Sequence, residues 1–145
     1  MSRLSRLPTT IGRPFGDSPR HPHWVWWVDG SQRLKPAQRK HLEAHEATGL
    51  GVSVISCWEV AKLVELKRLE LRFPVAGWIQ QALAYPGVRM LYLTPRIAVE
   101  STQLRGTFHR DPADQIIVAT ARVRGFSLLT ADAKILQYEH INTLT

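Results

Sequence analysis

Four short apolar stretches, each parted from the next by a segment with helix-start or helix-stop signals, restrict this chain more than any other feature. The stretches are 52–56, 88–93, 126–130 and 141–144. Apolar runs this brief, bounded by turn and cap residues, read as buried strands. Between the first two lie a helix over 57–66, with Trp58, Ala61, Leu63, Val64 and Leu66 on a broad apolar face, and a second opened by Pro74 and closed by Pro86-Gly87. Thr94-Pro95 pairs an N-cap with a proline at the first helical position and starts a helix through Leu104. Asp111-Pro112 repeats that signature and starts a helix ending at Gly125; a short helix over 132–138 follows the third strand. Strands that alternate with helices run parallel, because each connection must cross over a face of the sheet. The fold class is therefore α/β, a three-layer arrangement with a mostly parallel sheet flanked by helices.

The first 23 residues do not fit this rhythm. Arg3, Arg6, Arg13 and Arg20 stand there against one acid, Asp17, and neither a strand nor a helix period is sustained. Such a segment reads as poorly ordered. It lacks the apolar centre of a secretory signal. Order is expected from Trp24, in the apolar run 24–28, which ends at the turn Asp29-Gly30. A helix over 31–48 stops at Gly49. The domain is thus placed at 24–145, after an atypical segment 1–23.

At 145 residues and 44% hydrophobic, the chain can bury one ordinary core. Its net charge of +7 favours a polyanionic partner, nucleic acid before an acidic protein, over a merely solvated basic surface. The single cysteine, Cys57, excludes an internal disulfide and a zinc site of several thiolates, which suits a reducing cytoplasm. It lies in an apolar context and reads as a small core residue. No run approaches the roughly 20 apolar residues of a membrane helix. His41 and His45 have the i, i+4 spacing of metal ligands but share their helix with Lys40, Glu43 and Glu46, which reads as a solvated face.

Three acids fall where a parallel sheet presents its ligand-binding edge, at strand ends or in the first turn of the helix that follows. Glu59 follows strand 52–56, Asp132 follows strand 126–130, and Asp114 lies one turn into the helix begun at Asp111. Each also has a structural reading, since a carboxylate at a helix start meets the positive end of the helix dipole. Asp111 is a natural N-cap, and Asp132 is either a cap or a ligand. Glu59 stands among Trp58, Val60 and Ala61, where a lone buried carboxylate would be costly. A magnesium or manganese ion accounts for all three, because hard cations prefer carboxylate oxygens and serve phosphodiester hydrolysis.

The motifs around these acids resemble the PIN-domain ribonucleases, in their VapC-type toxin branch. Val52-Ser53-Val54-Ile55-Ser56-Cys57-Trp58-Glu59 is similar to a junction that typically reads Ser-x-Trp-Glu in that branch. The stretch Phe108-His109-Arg110-Asp111-Pro112-Ala113-Asp114-Gln115, continuing through Ala121, resembles its second signature, and Leu128-Leu129-Thr130-Ala131-Asp132-Ala133-Lys134-Ile135 its third. The resemblance implies a metal-dependent endoribonuclease toxin that forms homodimers and is neutralised by a VapB-type antitoxin. It places Glu59, Asp114 and Asp132 on metal-site positions, Thr130 on a supporting polar position and Asp111 on a less central acid. Arg105, His109 and Arg110 are then candidates for RNA phosphate contacts, or else a solvated basic loop. The apolar faces of the two helices between Cys57 and Pro86 are the candidate dimer or antitoxin surface.

The chain departs from the family at its first strand. The family ends that strand in an acid, as Asp-Thr-His or Asp-Thr-Asn before an apolar run. Here Arg20, His21, Pro22 and His23 precede Trp24, and the nearest acids, Asp17 and Asp29, stand in the wrong context. The first strand is therefore expected to be missing or disrupted, weakening both the sheet and the site. One permitted set of codons for residues 20–23, CGA CAC CCA CAT, spells Asp-Thr-His when read one base later. The first 23 residues then read as an out-of-frame stretch, which the gene's nucleotide sequence decides. A domain degraded in this way would remain a dimerisation or antitoxin-binding module.

Overall fold

Every strand pairing in the sheet is parallel, and the strand order is β3-β2-β1-β4-β5. The computed structural model describes residues 9–11, 36–45, 50–85, 87–129 and 132–144. Its strands are β1 (Thr9–Ile11), β2 (Leu50–Ser53), β3 (Val88–Leu91), β4 (Ser127–Leu129) and β5 (Thr143–Leu144). Its helices are α1 (Pro36–His45), α2 (Val54–Glu65), α3 (Val75–Leu83), α4 (Pro95–Thr102), α5 (Pro112–Arg124) and α6 (Ala133–Leu136). The expected α/β architecture is thus present.

Side chains of alternate residues divide the core into two layers. Leu50 and Val52 of β2 join Val60, Leu63, Trp78 and Ala82 of α2 and α3 on one face. Leu91 and Leu128 join Ile117, Val118, Ala121 and Ile135 of α5 and α6 on the other. Leu128 and its neighbour Leu129 enter opposite layers, as the two-residue period of a strand requires. Gly51 faces the second layer, where a Cβ would lie 2.5 Å from Leu91 Cδ1 and 3.0 Å from Phe126 Cε2. That space goes to the neighbouring side chains. The apolar faces of α2 and α3, expected as a docking surface, are instead spent on this core. What remains exposed there is Trp58, Leu66, Phe73 and Tyr85.

The helix ends follow the expected chemistry. Thr94 Oγ1 accepts from Ile97 N at 3.2 Å, and Asp111 Oδ1 accepts from Ala113 N at 3.0 Å and Asp114 N at 3.2 Å. Gly125 closes α5 at φ 70°, the left-handed conformation that glycine adopts without a Cβ penalty. One boundary differs. The strand expected over 52–56 ends at Ser53, because Ser53 Oγ accepts from Ile55 N at 3.2 Å and caps α2 three residues earlier than the reading of 57–66. Val54 and Ile55 are β-branched, yet the cap outweighs their strand preference.

Of the two outcomes expected for the first strand, missing or disrupted, outright absence is not what the described residues show. Thr9–Ile11 occupies the central slot, pairing Thr9 with Leu50 and Ser127, Thr10 with Gly51 and Leu128, and Ile11 with Leu129. Three described residues fill the slot. The rest of 1–23, the apolar run 24–28 and the helix residues 31–35 and 46–48 lie outside the described residues.

Candidate functional site

Strand order places the candidate acids on both sides of β1. Helix α2 leaves the carboxyl end of β2, on one side of β1, and α6 follows β4, on the other. Order reversal about a central strand opens a crevice at the carboxyl edge of such sheets.

Glu59 lies in α2 and is fully buried, at 0% exposure. Because α2 starts at Val54, Glu59 sits in its second turn rather than its first, and no acid occupies the first turn. Stabilisation by the helix terminus, which fades beyond the first turn, therefore does not explain it. Its burial places a carboxylate where water cannot solvate it, an arrangement that demands compensation. Trp58 beside it points outward and is exposed.

Asp114 occupies the first turn of α5 and is 3% exposed. Its backbone is set by the Asp111 cap, whose Oδ1 takes its N–H. Its carboxylate is held separately: His109 Nε2 stands 2.6 Å from Asp114 Oδ2. A carboxylate accepts, so the imidazole donates. Helix α2 also touches α5, which brings the elements bearing Glu59 and Asp114 together. The sequence hinted at this pair only by placing His109 five residues before Asp114 in a non-helical stretch. His109, a candidate for phosphate contact or for a solvated basic loop, turns its ring toward Asp114, while Arg105 and Arg110 are exposed.

Asp132 is the N-cap of α6, and its Oδ1 accepts from Lys134 N at 2.8 Å and Ile135 N at 3.3 Å. The cap reading of Asp132 and of Asp111 is thus realised in full. Thr130 lies outside the described residues. Among the described residues, no three His, Cys, Asp or Glu side chains form a group that could hold a metal ion. The donor chemistry nonetheless suits a hard divalent cation, with two buried carboxylates and a third on the same sheet edge.

An aromatic contact joins the loop before α5 to the segment after α6. Phe108 meets Tyr138 edge-on at 4.9 Å, and Tyr138 meets His140 at 5.4 Å. The Tyr138 hydroxyl donates to the Arg105 carbonyl at 2.5 Å. Burial pushes its pKa up from the ordinary 10.0, so it keeps the proton it donates. Cys57 is likewise pushed up by burial, to about 11, which leaves it a neutral thiol. No helix among the described residues is long and apolar enough to cross a membrane.

Comparison with known proteins agrees with these features. The PIN domain family model matches residues 23–141. The chain is 37% identical over 120 residues to Ribonuclease VapC22 of Mycobacterium tuberculosis (strain ATCC 25618 / H37Rv), covering 83% of this chain and 89% of that protein. Two solved structures share the fold. The crystal structure of VapBC2 from Rickettsia felis, bound to a DNA fragment from its promoter, matches with a TM-score of 0.62 at 12% identity, over 94% of this chain and 97% of that one. FitAcB from Neisseria gonorrhoeae matches with a TM-score of 0.52 at 18% identity, over 84% and 92%. The motifs, the parallel sheet order and the extent of these matches together make the chain a member of the PIN-domain family, in its VapC-type branch.

Proposed function

We propose that the chain is an endoribonuclease toxin that hydrolyses RNA phosphodiester bonds with a divalent metal ion and is neutralised by a VapB-type antitoxin in the cytoplasm. The observation that carries this reading is Glu59, a carboxylate wholly buried at the carboxyl edge of a parallel sheet and free of any helix-start role. Glu59, Asp114 and Asp132 would hold Mg2+ or Mn2+, whose contribution when bound is to activate water and neutralise phosphate charge. Asp114 offers a buried carboxylate that His109 holds by one oxygen. Asp132 offers its carboxylate while also capping α6, which fixes its position. The net charge of +7 favours the RNA backbone, independent of sequence. Ribonuclease VapC22, the similar protein, carries the activity in its name.

The reading includes an impairment. The central strand is described over Thr9–Ile11, and the sequence continues as Gly12-Arg13, with no acid before Asp17. One carboxylate that the family carries at that strand end is missing. The same observation favours a second reading, in which the domain still dimerises or captures an antitoxin without cutting RNA.

The two readings are separated by assaying an RNA pool with Mn2+ and with a chelator. Slow cleavage by the unsubstituted chain is expected, lost with chelator and in Glu59→Gln. Replacing residues 1–23 with an apolar strand ending in Asp is expected to raise it. If the repaired chain also fails to cut, the nuclease reading falls. Antitoxin capture that survives Glu59→Gln without cleavage in any variant establishes the second.

A further inference from the structure

We infer that His109 is a positioning residue that fixes the Asp114 carboxylate for a divalent cation; this rests on the metal-site reading above. Three observations carry it. First, His109 Nε2 lies 2.6 Å from Asp114 Oδ2, with the His109 and Asp114 side chains 22% and 4% exposed. The contact is short and largely sheltered from competing water.

Second, His109 is itself held from two directions. Gln115 Nε2 donates to the His109 carbonyl at 3.1 Å, tying its backbone to α5. Its ring lies 4.3 Å from that of Phe108, which in turn meets Tyr138 edge-on. The imidazole is therefore placed by structure on both sides of the site, the loop before α5 and the segment after α6.

Third, the Asp111 cap fixes only the backbone of Asp114. The terminal torsion of an aspartate is broad, so backbone placement alone does not direct its oxygens. The bond from His109 engages Oδ2 and thereby sets the direction of Oδ1. This is the service that partners behind metal ligands supply, and their removal typically weakens metal binding about 10–100-fold. An imidazole turned toward Asp114 is also not presenting Nε2 to an RNA phosphate.

The test is Mn2+ affinity, measured by titration calorimetry on the full chain and on His109→Phe, His109→Gln and His109→Asn. Thermal unfolding without metal runs in parallel. Phenylalanine keeps the ring and removes the donor. The amide nitrogen of glutamine reaches the position of Nε2, whereas that of asparagine reaches only the position of Nδ1. We expect His109→Phe and His109→Asn to bind Mn2+ about 10–100-fold more weakly, and His109→Gln to bind close to the unsubstituted level. If His109→Phe does not fold, the Gln and Asn pair decides. Equal affinity in Gln and Asn, or tighter binding once the imidazole is gone, overturns the role of His109 while leaving the metal site standing. An unsubstituted chain that binds no Mn2+, or a Glu59→Gln chain that binds it equally well, overturns the metal reading and the role of His109 with it.

Discussion

The two flanks of the central strand place their acids by different means. On the β2 side, Glu59 lies inside α2, wholly buried and distant from the helix start. On the β4 side, Asp132 is half-buried and caps α6 with two hydrogen bonds from backbone N–H groups. Asp132 would hold its place in a protein with no site at all, because the cap stabilises the helix by itself. Glu59 stands outside the first turn of its helix, so it is no helix cap, and burying its carboxylate carries a desolvation cost that its surroundings must offset. A buried acid with no part in capping speaks for function more strongly than one that also stabilises a helix end.

The sharpest way to break this contrast is Glu59→Gln. It is expected to lower RNA cleavage by at least the roughly 10–100-fold that loss of a mere supporting partner costs a metal site. Unfolding followed by circular dichroism should remain cooperative. Unchanged cleavage would erase the distinction between the flanks. Asp132 carries two roles, which a pair of variants separates. Asp132→Ala should lose cleavage and about 1 kcal/mol of stability through the missing cap. Asp132→Ser should regain most of that stability and none of the cleavage, as read by denaturant unfolding and an RNA assay side by side.

A smaller effect tests how closed the β2 flank is. Cys57 stands two residues before Glu59, and burial raises its pKa from 9.0 to about 11. At pH 8 the folded chain should alkylate with iodoacetamide far more slowly than the chain in denaturant, since the thiolate is the nucleophile. The sign for stability follows from the same shift. The unfolded chain gives up its thiol proton first, so this contribution is intact below pH 9 and is lost as pH rises from about 9 to about 11. Rapid alkylation of the native chain would show that solvent reaches the surroundings of Glu59.

Much of this was legible in the sequence because local chemistry sufficed. Thr94-Pro95, Asp111-Pro112 and Gly125 mark helix ends by the hydrogen bonds and backbone angles they permit, and each mark is realised. The start of α2 was misread because Val54 and Ile55 suit a strand while Ser53 caps a helix, and only the fold decides between them. The strand at Thr9–Ile11 was not legible, since its neighbours are arginines and prolines and its pairing is wholly with distant residues. The contact of His109 with Asp114 escaped for a related reason. Five residues apart across a helix start is a spacing that no regular period brings together.

The position of β1 has a consequence for how the molecule is made. Among the described strands it precedes the others in sequence, yet its two partners are β2 and β4, so the middle of the sheet cannot close until Leu129 has left the ribosome. Until then, β1 offers an open edge to whatever chain is near. Closure across so long a separation in sequence, as between Ile11 and Leu129, is slow. The yield of folded protein in a cell is then governed as much by the lifetime of a half-sheet awaiting β4 as by the stability of the finished domain.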